Sequence, residues 1–92
     1  MTDILTVLGQ IGLVPVVRLE REEDAVPLGA ALKAGGLPCA EITFRTPAAA
    51  GAIARLVAAD ARLIVGAGTV LTVAQAQQAV DAGAAFIVSP GF

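Results

Sequence analysis

In the stretch AEITFRTP, residues 40–47, a carboxylate, a hydroxyl and a guanidinium recur at every second position: Glu41, Thr43 and Arg45. Side chains alternate across a β-strand, so the three share one face if this segment is extended. Their types suit chemistry on a small acid. A carboxylate in a largely enclosed pocket can be tuned toward neutrality, and can then take and return a proton. A guanidinium grips another carboxylate through two parallel hydrogen bonds. Glu41 and Arg45 lie about 13 Å apart along a strand at ~3.3 Å per residue. A long arginine side chain narrows that gap, so both groups can touch one small substrate. Two further stretches end in similar groups. IVGAGTV brings Gly66 and Gly68 beside the hydroxyl of Thr69, and AFIVSPGF ends near Ser89 and Pro90. Glycines there would let backbone and ligand approach closely.

The elements that must position these residues alternate along the chain. Thr2 can cap a helix over about 3–11 that Gly12 ends. VPVVRL (14–19) reads as a β-branched strand with Pro15 near its start, where a missing N–H is tolerated. Residues 22–34 form a helix. Glu22, Glu23 and Asp24 suit its positive end, Pro27 is acceptable only that early, and Gly35-Gly36 stop it. CAEITF (39–44) is the second strand. Thr46 caps the next helix, with Pro47 at its first position, running to about Ala59. RLIVGA (62–67) is the third strand. Thr72 with Gln75 makes a capping box that opens a helix to about Ala82, and Gly83 ends it. AFIVS (85–89) is the fourth strand.

The strands begin near residues 14, 38, 62 and 85, and this regular spacing predicts parallel strands joined by right-handed crossovers. Both the open doubly wound sheet and the (β/α)8 barrel share that pattern. The second strand favours the barrel. A central strand of an open parallel sheet is covered on both faces and reads apolar throughout. Here Ile42 and Phe44 make one apolar face, while Glu41, Thr43 and Arg45 make the other. A barrel has an inner face that helices do not touch, with functional groups at the carboxyl ends of its strands. A flavodoxin-like open sheet is the lesser alternative.

Composition narrows the function classes. Among 92 residues, 57% are hydrophobic and 15% charged, which argues against disorder. The net charge is −2 with no basic run, so nucleic acid is not an expected partner. No apolar run approaches the ~18 residues of a membrane span, and the acidic N-terminus MTDILTVLGQIG does not read as a signal peptide. The single cysteine, Cys39, excludes an internal disulfide and fits a reducing cytoplasm. With no histidine and one cysteine, the usual zinc sites are not expected, and no other cofactor is called for.

Taken together, VPVVRL, AVPLGAALKAGGLPCAEITFRTPAA, IVGAGTVLT and AGAAFIVSPGF resemble the 2-keto-3-deoxy-6-phosphogluconate aldolases, in order and over nearly the whole chain. The combination of EITFRT, VGAGTV and SPGF is specific, although each piece alone is weak. The resemblance implies a (β/α)8 barrel, homotrimeric in the family, that cleaves a keto-deoxy sugar phosphate to pyruvate and glyceraldehyde 3-phosphate through a Schiff base. It assigns Glu41 the general acid/base role, assigns Arg45 and Thr69 to the pyruvate carboxylate and keto acid, and places Pro90 against the substrate. Residues 1–92 then form the N-terminal half of one barrel, with about four strands. The family's nucleophile is a lysine on the sixth strand. The only lysine here, Lys33, reads as a surface residue that complements the end of the first crossover helix.

Plainer readings stand beside these. Glu41 and Arg45 can form a structural ion pair. GAGTV can be a nucleotide-binding or anion-binding turn, but the third glycine of the dinucleotide fingerprint is missing. Cys39 reads as a small buried residue, because no histidine is present to activate it. Arg18 is as consistent with a solvated or ion-paired residue as with one at the barrel mouth, EREED (20–24) with a solvated helix start, and the alanine-rich helices with packing surfaces. The whole chain can also be a half-barrel that assembles through its open strand edges and an exposed apolar face. The residues do not separate the gluconate-derived substrate from the galactonate-derived one or from 4-hydroxy-2-oxoglutarate.

Overall fold

Four parallel strands lie side by side in the order in which the chain makes them, β1 to β4. The computed structural model describes residues 4–89. Helix α1 (Ile4–Ile11) is followed by β1 (Val16–Val17). A 3-10 turn (Glu22–Asp24) leads into α2 (Ala25–Ala34) and β2 (Cys39–Thr43). Then come α3 (Ala49–Ala59), β3 (Ile64–Gly68), α4 (Val73–Ala82) and β4 (Phe86–Ile87). Strand β2 pairs with β1 at Val16↔Glu41 and with β3 from Cys39↔Ile64 to Thr43↔Gly68, and β3 pairs with β4 at Gly66↔Phe86.

A doubly wound sheet reverses its strand order at a switch point and takes helices on both faces. No reversal occurs here, so crossovers of one hand put every crossover helix on the same side. Packing agrees, with α2 against α3 and α3 against α4. Beneath them the covered face of the sheet presents Ala40 and Ile42 of β2 with Val65 and Ala67 of β3. These meet Ala25, Ala49, Ala52, Ile53, Leu56 and Ala79 from the helices. The alanine-rich stripes permit this close approach, and a methyl group added at Gly29 would crowd Leu56 and Leu63. The barrel-type arrangement expected from sequence is therefore present, and the flavodoxin-like alternative is not.

Most boundaries follow local chemistry. Helix α2 ends in a Schellman motif: Gly36, at φ 86°, donates to Lys33 O, and Leu37 donates to Leu32 O. Helix α4 ends likewise, with Gly83 at φ 98° and Ala84 bonded to Ala79 O. The capping box opens α4, where Thr72 Oγ1 accepts from the Gln75 N–H at 3.0 Å. Gln75 Oε1 answers one residue early, accepting from Leu71 N–H rather than from the cap itself. The Thr2 cap expected for α1 lies outside the described residues.

Several boundaries depart from the sequence reading. Helix α3 begins at Ala49 rather than at Pro47, because the Thr46 hydroxyl donates to the Leu19 carbonyl instead of capping the helix. A tertiary partner has displaced the local one. The helix expected over 22–34 opens with the 3-10 turn, and Pro27 falls at the third position of α2. Strands β1 and β4 pair over two residues each, not five or six. Both are sheet edges, and side chains from the end of β2 supplement the short β1 ladder. The Thr43 hydroxyl points at Val17 O at 3.4 Å, beside the Thr46 bond to Leu19.

On the outer wall, the Lys33 ammonium pairs with the Asp60 carboxylate at the end of α3, so it ties two helices together as well as standing in the last turn of its own. Asp60 also accepts from the Arg62 backbone N–H at 2.9 Å. The Lys33 hydrogen bond, and then the Arg62 N–H, hold the Asp60 carboxyl below its ordinary range. A carboxyl depressed in the folded state contributes stability above its unfolded pKa and loses it as pH falls through the folded value. Asp60→Asn is therefore expected to lower stability near neutral pH, with the difference shrinking as pH falls through the lowered Asp60 value. Urea unfolding at a series of pH values checks this, and a constant difference across the series would contradict it.

Candidate active site

Alternation along β2 sends Ala40 and Ile42 under the helices and Cys39, Glu41 and Thr43 to the opposite face. The strand register aligns a row across that second face: Val16, Glu41, Gly66 and Phe86. One step toward the carboxyl ends, Thr43 lines up with Gly68. Cys39 lies at the amino end of β2, fully buried, with its thiol 3.2 Å from the Leu13 carbonyl. Burial pushes that thiol upward, away from the thiolate a nucleophile needs. Thr43 is 4% exposed, and its hydroxyl is turned to the β1 backbone.

The Glu41 side chain leans over Gly68. A methyl group at Gly68 would overlap the Glu41 carboxylate and lie 2.9 Å from its Cγ. The Phe86 ring in the same way lies over Gly66. The two glycines of GAG thus seat side chains from the neighbouring strands, rather than only clearing room for a ligand. Phe86 is the contributor to this face that sequence reasoning missed. Its signal was indirect: two glycines on one strand face leave a volume that adjacent strands must fill.

Thr69 follows Gly68 directly. Its φ of 55° is the only positive value at a non-glycine position among the described residues. A β-branched residue pays roughly 1–2 kcal/mol for that conformation, and such strain concentrates at ligand-binding positions. Thr69 stands directly after the end of β3 at Gly68, the residue over which the Glu41 carboxylate lies.

Arg45 lies one residue beyond Phe44, in the turn after β2, and is exposed. It lines a groove of about 410 Å³ with Phe44, Thr46, Pro47, Ala50, Gln75 and Gln78. The larger cavity, about 540 Å³, lies on the outer wall between α2 and α3, away from this face. The Glu41 carboxylate lies over Gly68, the residue before Thr69, while Arg45 lines its groove among residues of α3 and α4. Pro90 lies outside the described residues, and Ser89 before it is exposed.

The charge pattern separates Glu41 and Arg45 from the rest. Arg18 pairs with Glu20 at 2.8 Å, Arg21 with Asp24 at 3.0 Å and Arg55 with Glu22 at 2.9 Å. Lys33 and Arg62 share Asp60, Glu23 is 4.0 Å from Arg21, and Asp81 accepts from Gln77. Arg18 is thus the ion-paired residue rather than one free at the mouth, and the EREED run is the exposed helix start expected, with Glu22 reaching Arg55 of α3. Among the described residues, Glu41 and Arg45 alone of the charged groups have no ionic or hydrogen-bonding partner, and they do not pair with each other. The structural ion pair is therefore absent. Among the same residues, no group of three His, Cys, Asp or Glu gathers where it could hold a metal, and no helix is long and apolar enough to cross a membrane.

Comparison with known proteins gives this arrangement a context. Residues 4–92 match the family model described as KDPG and KHG aldolase. The 2-dehydro-3-deoxy-phosphogluconate aldolase of Treponema pallidum is 58% identical over 92 residues, covering 100% of this chain and 44% of that protein. The enzyme of the same name from Haemophilus influenzae is 44% identical, over 97% of this chain and 42% of its own length. The crystal structure of the 2-keto-3-deoxy-6-phosphogluconate aldolase of Zymomonas mobilis ZM4 with 3-phosphoglycerate superposes with a TM-score of 0.88 at 43% identity, over 98% of this chain and 43% of that one. The Legionella pneumophila KDPG aldolase, with pyruvate captured as a covalent carbinolamine, superposes at 0.81 with 44% identity, over 86% of this chain and 38% of that one. These neighbours are TIM-barrel proteins. The chain spans less than half the length of the relatives it matches.

The strain at Thr69 is measurable. Thr69→Gly relieves the positive φ and loses some of that gain to unfolded-chain entropy. It is expected to raise the unfolding free energy by up to about 1 kcal/mol. Denaturant unfolding checks this, and a destabilised variant would show that Thr69 is held there without strain.

Proposed function

Because the chain belongs to the KDPG and KHG aldolase family, we propose that it carries the proton-transfer and acid-binding part of a Schiff-base aldolase site. One observation carries this reading: Glu41, the described carboxylate without a partner, leans over Gly68 toward Thr69 on the sheet face that the crossover helices leave free. In the proposed reaction, an amine condenses with the keto carbon to give a carbinolamine and then an iminium. The iminium accepts the electron pair as the carbon–carbon bond breaks. Glu41 moves protons at the carbinolamine and at the pyruvate carbons, as a positioned carboxylate can. Arg45 and the Thr69 hydroxyl hold the carboxylate and keto-acid end, and Pro90 matches a substrate-contacting position of the family.

The proposed substrate is 2-keto-3-deoxy-6-phosphogluconate, cleaved to pyruvate and glyceraldehyde 3-phosphate in the Entner–Doudoroff pathway. The galactonate-derived phosphate and 4-hydroxy-2-oxoglutarate are the alternative substrates, the latter supported by relatives named KHG/KDPG aldolase. On this reading residues 1–92 are the N-terminal half of a single barrel, working in a cytoplasmic homo-oligomer, a trimer by family resemblance.

The amine is not expected to come from these 92 residues. Their one lysine, Lys33, pairs with Asp60 on the outer wall. The 92-residue chain with pyruvate and borohydride is expected to gain no covalent mass, while pyruvate shifts the NMR signals of Glu41, Arg45 and Thr69. Removing the guanidinium in Arg45→Ala is expected to weaken that response about 10- to 100-fold, the scale of a lost charged hydrogen bond. A trapped adduct on Lys33, or no response at these residues, would overturn the reading.

The sheet edges favour a second reading, assembly. Val16 on β1 is 65% exposed, and Ile87 and Val88 at β4 are about 40% exposed. Sheet edges with free backbone groups are templates for pairing, and these carry exposed apolar side chains. Light scattering on the 92-residue chain is expected to give a mass above the 9.2 kDa monomer. A soluble monomer at all concentrations would dismiss edge pairing.

A further inference from the structure

We infer that Phe86 is a positioning residue for Glu41: its ring fills the volume above Gly66 and keeps the Glu41 side chain forward over Gly68, toward Thr69. The inference deepens the aldolase reading and takes its functional meaning from it, but its geometric content stands apart.

Glu41 is paired with Gly66, and Gly66 with Phe86, so the three occupy one level of the same sheet face. A side chain at position 41 has two ways to lie. It can settle across Gly66 at its own level, or lean along the strand to the next level, at Gly68. Both neighbours are glycines, so β3 itself blocks neither course. The ring decides. The far edge of Phe86 occupies the place a Gly66 β-carbon would take, and the Glu41 carboxylate occupies the corresponding place at Gly68. The two side chains interlock: Phe86 takes the lower glycine and Glu41 is left the upper one.

The consequence is directional. The upper level is the carboxyl end of β3, where Thr69 turns out of the sheet at φ 55°. A carboxylate lying back across Gly66 would be one level further from Thr69. Phe86 touches no reacting atom on this account, and it acts only by excluding the alternative position. A packed interior holds side chains this way because two groups cannot share one volume.

The test reads the placement directly. The Glu41 Cγ lies 2.9 Å from the position of a β-carbon on Gly68, so its γ-protons should give a nuclear Overhauser cross-peak to the Gly68 α-protons in the 92-residue chain. In Phe86→Ala that cross-peak is expected to be lost and replaced by one to Gly66. Phe86→Met, which refills most of the volume, is expected to restore the Gly68 cross-peak. A folded Phe86→Ala chain that keeps the Gly68 contact would overturn the inference, as would a Met variant that behaves like Ala. If the Ala variant does not fold, Phe86→Val is read instead, with loss of the Gly68 contact supporting the inference and its retention overturning it. Should the cross-peaks behave as expected while pyruvate leaves Glu41 and Thr69 unmoved, the placement stands and the aldolase reading falls.

Discussion

Every crossover in this chain returns to the next strand along, so the sheet meets its crossover helices on one face only. That constraint sorts all the side chains that matter here. Ala40, Ile42, Val65 and Ala67 go under helices and supply the apolar burial that holds the unit together. Glu41, Thr43, Gly66, Gly68 and Phe86 go to the other face, where no helix could have accommodated a carboxylate without pairing it. A sheet covered on both sides would have forced Glu41 into an ion pair or out of the strand.

Within the free face, missing side chains matter as much as present ones. Gly66 and Gly68 leave β3 bare at two successive levels, and the neighbouring strands fill those levels with an aromatic ring and a carboxylate. Charge and strain then collect at the same end. The other described charged groups all find partners, whereas Glu41 and Arg45 find none, and Thr69, the one described non-glycine residue at positive φ, follows the Gly68 over which Glu41 lies. A surface ion pair contributes little to stability, so leaving Arg45 free has little energetic cost. The strain at Thr69 is a real cost, and it sits where a ligand could repay it.

Much of this was legible from local chemistry. The Schellman ends of α2 and α4 were written in Gly35-Gly36 and Gly83, and the start of α4 in Thr72 and Gln75, because caps and left-handed turns involve residues a few positions apart. The Glu41 and Thr43 face of β2 was legible for the same reason, since alternation is a property of one strand, whereas Arg45, expected on that face, falls in the turn beyond it. Thr46 shows the limit. Its sequence context, with Pro47 behind it, reads as a helix cap, but its hydroxyl goes to Leu19, 27 residues away. The short ladders of β1 and β4 were also hidden, because an edge strand's pairing depends on what its neighbour offers.

The sequence alone therefore determined the parallel βα repeat, the polar face of the second strand and the residue types gathered there, all of which rest on periodicity and on the chemistry of single side chains. Only the tertiary structure decided that Glu41 leans over Gly68, that Phe86 takes the place above Gly66, that Arg45 lines its groove unpaired, and that Lys33 is bound to Asp60. Each of those is a question of which two groups compete for one volume or one charge. Such competition arises only when residues 20 or more positions apart are brought into register.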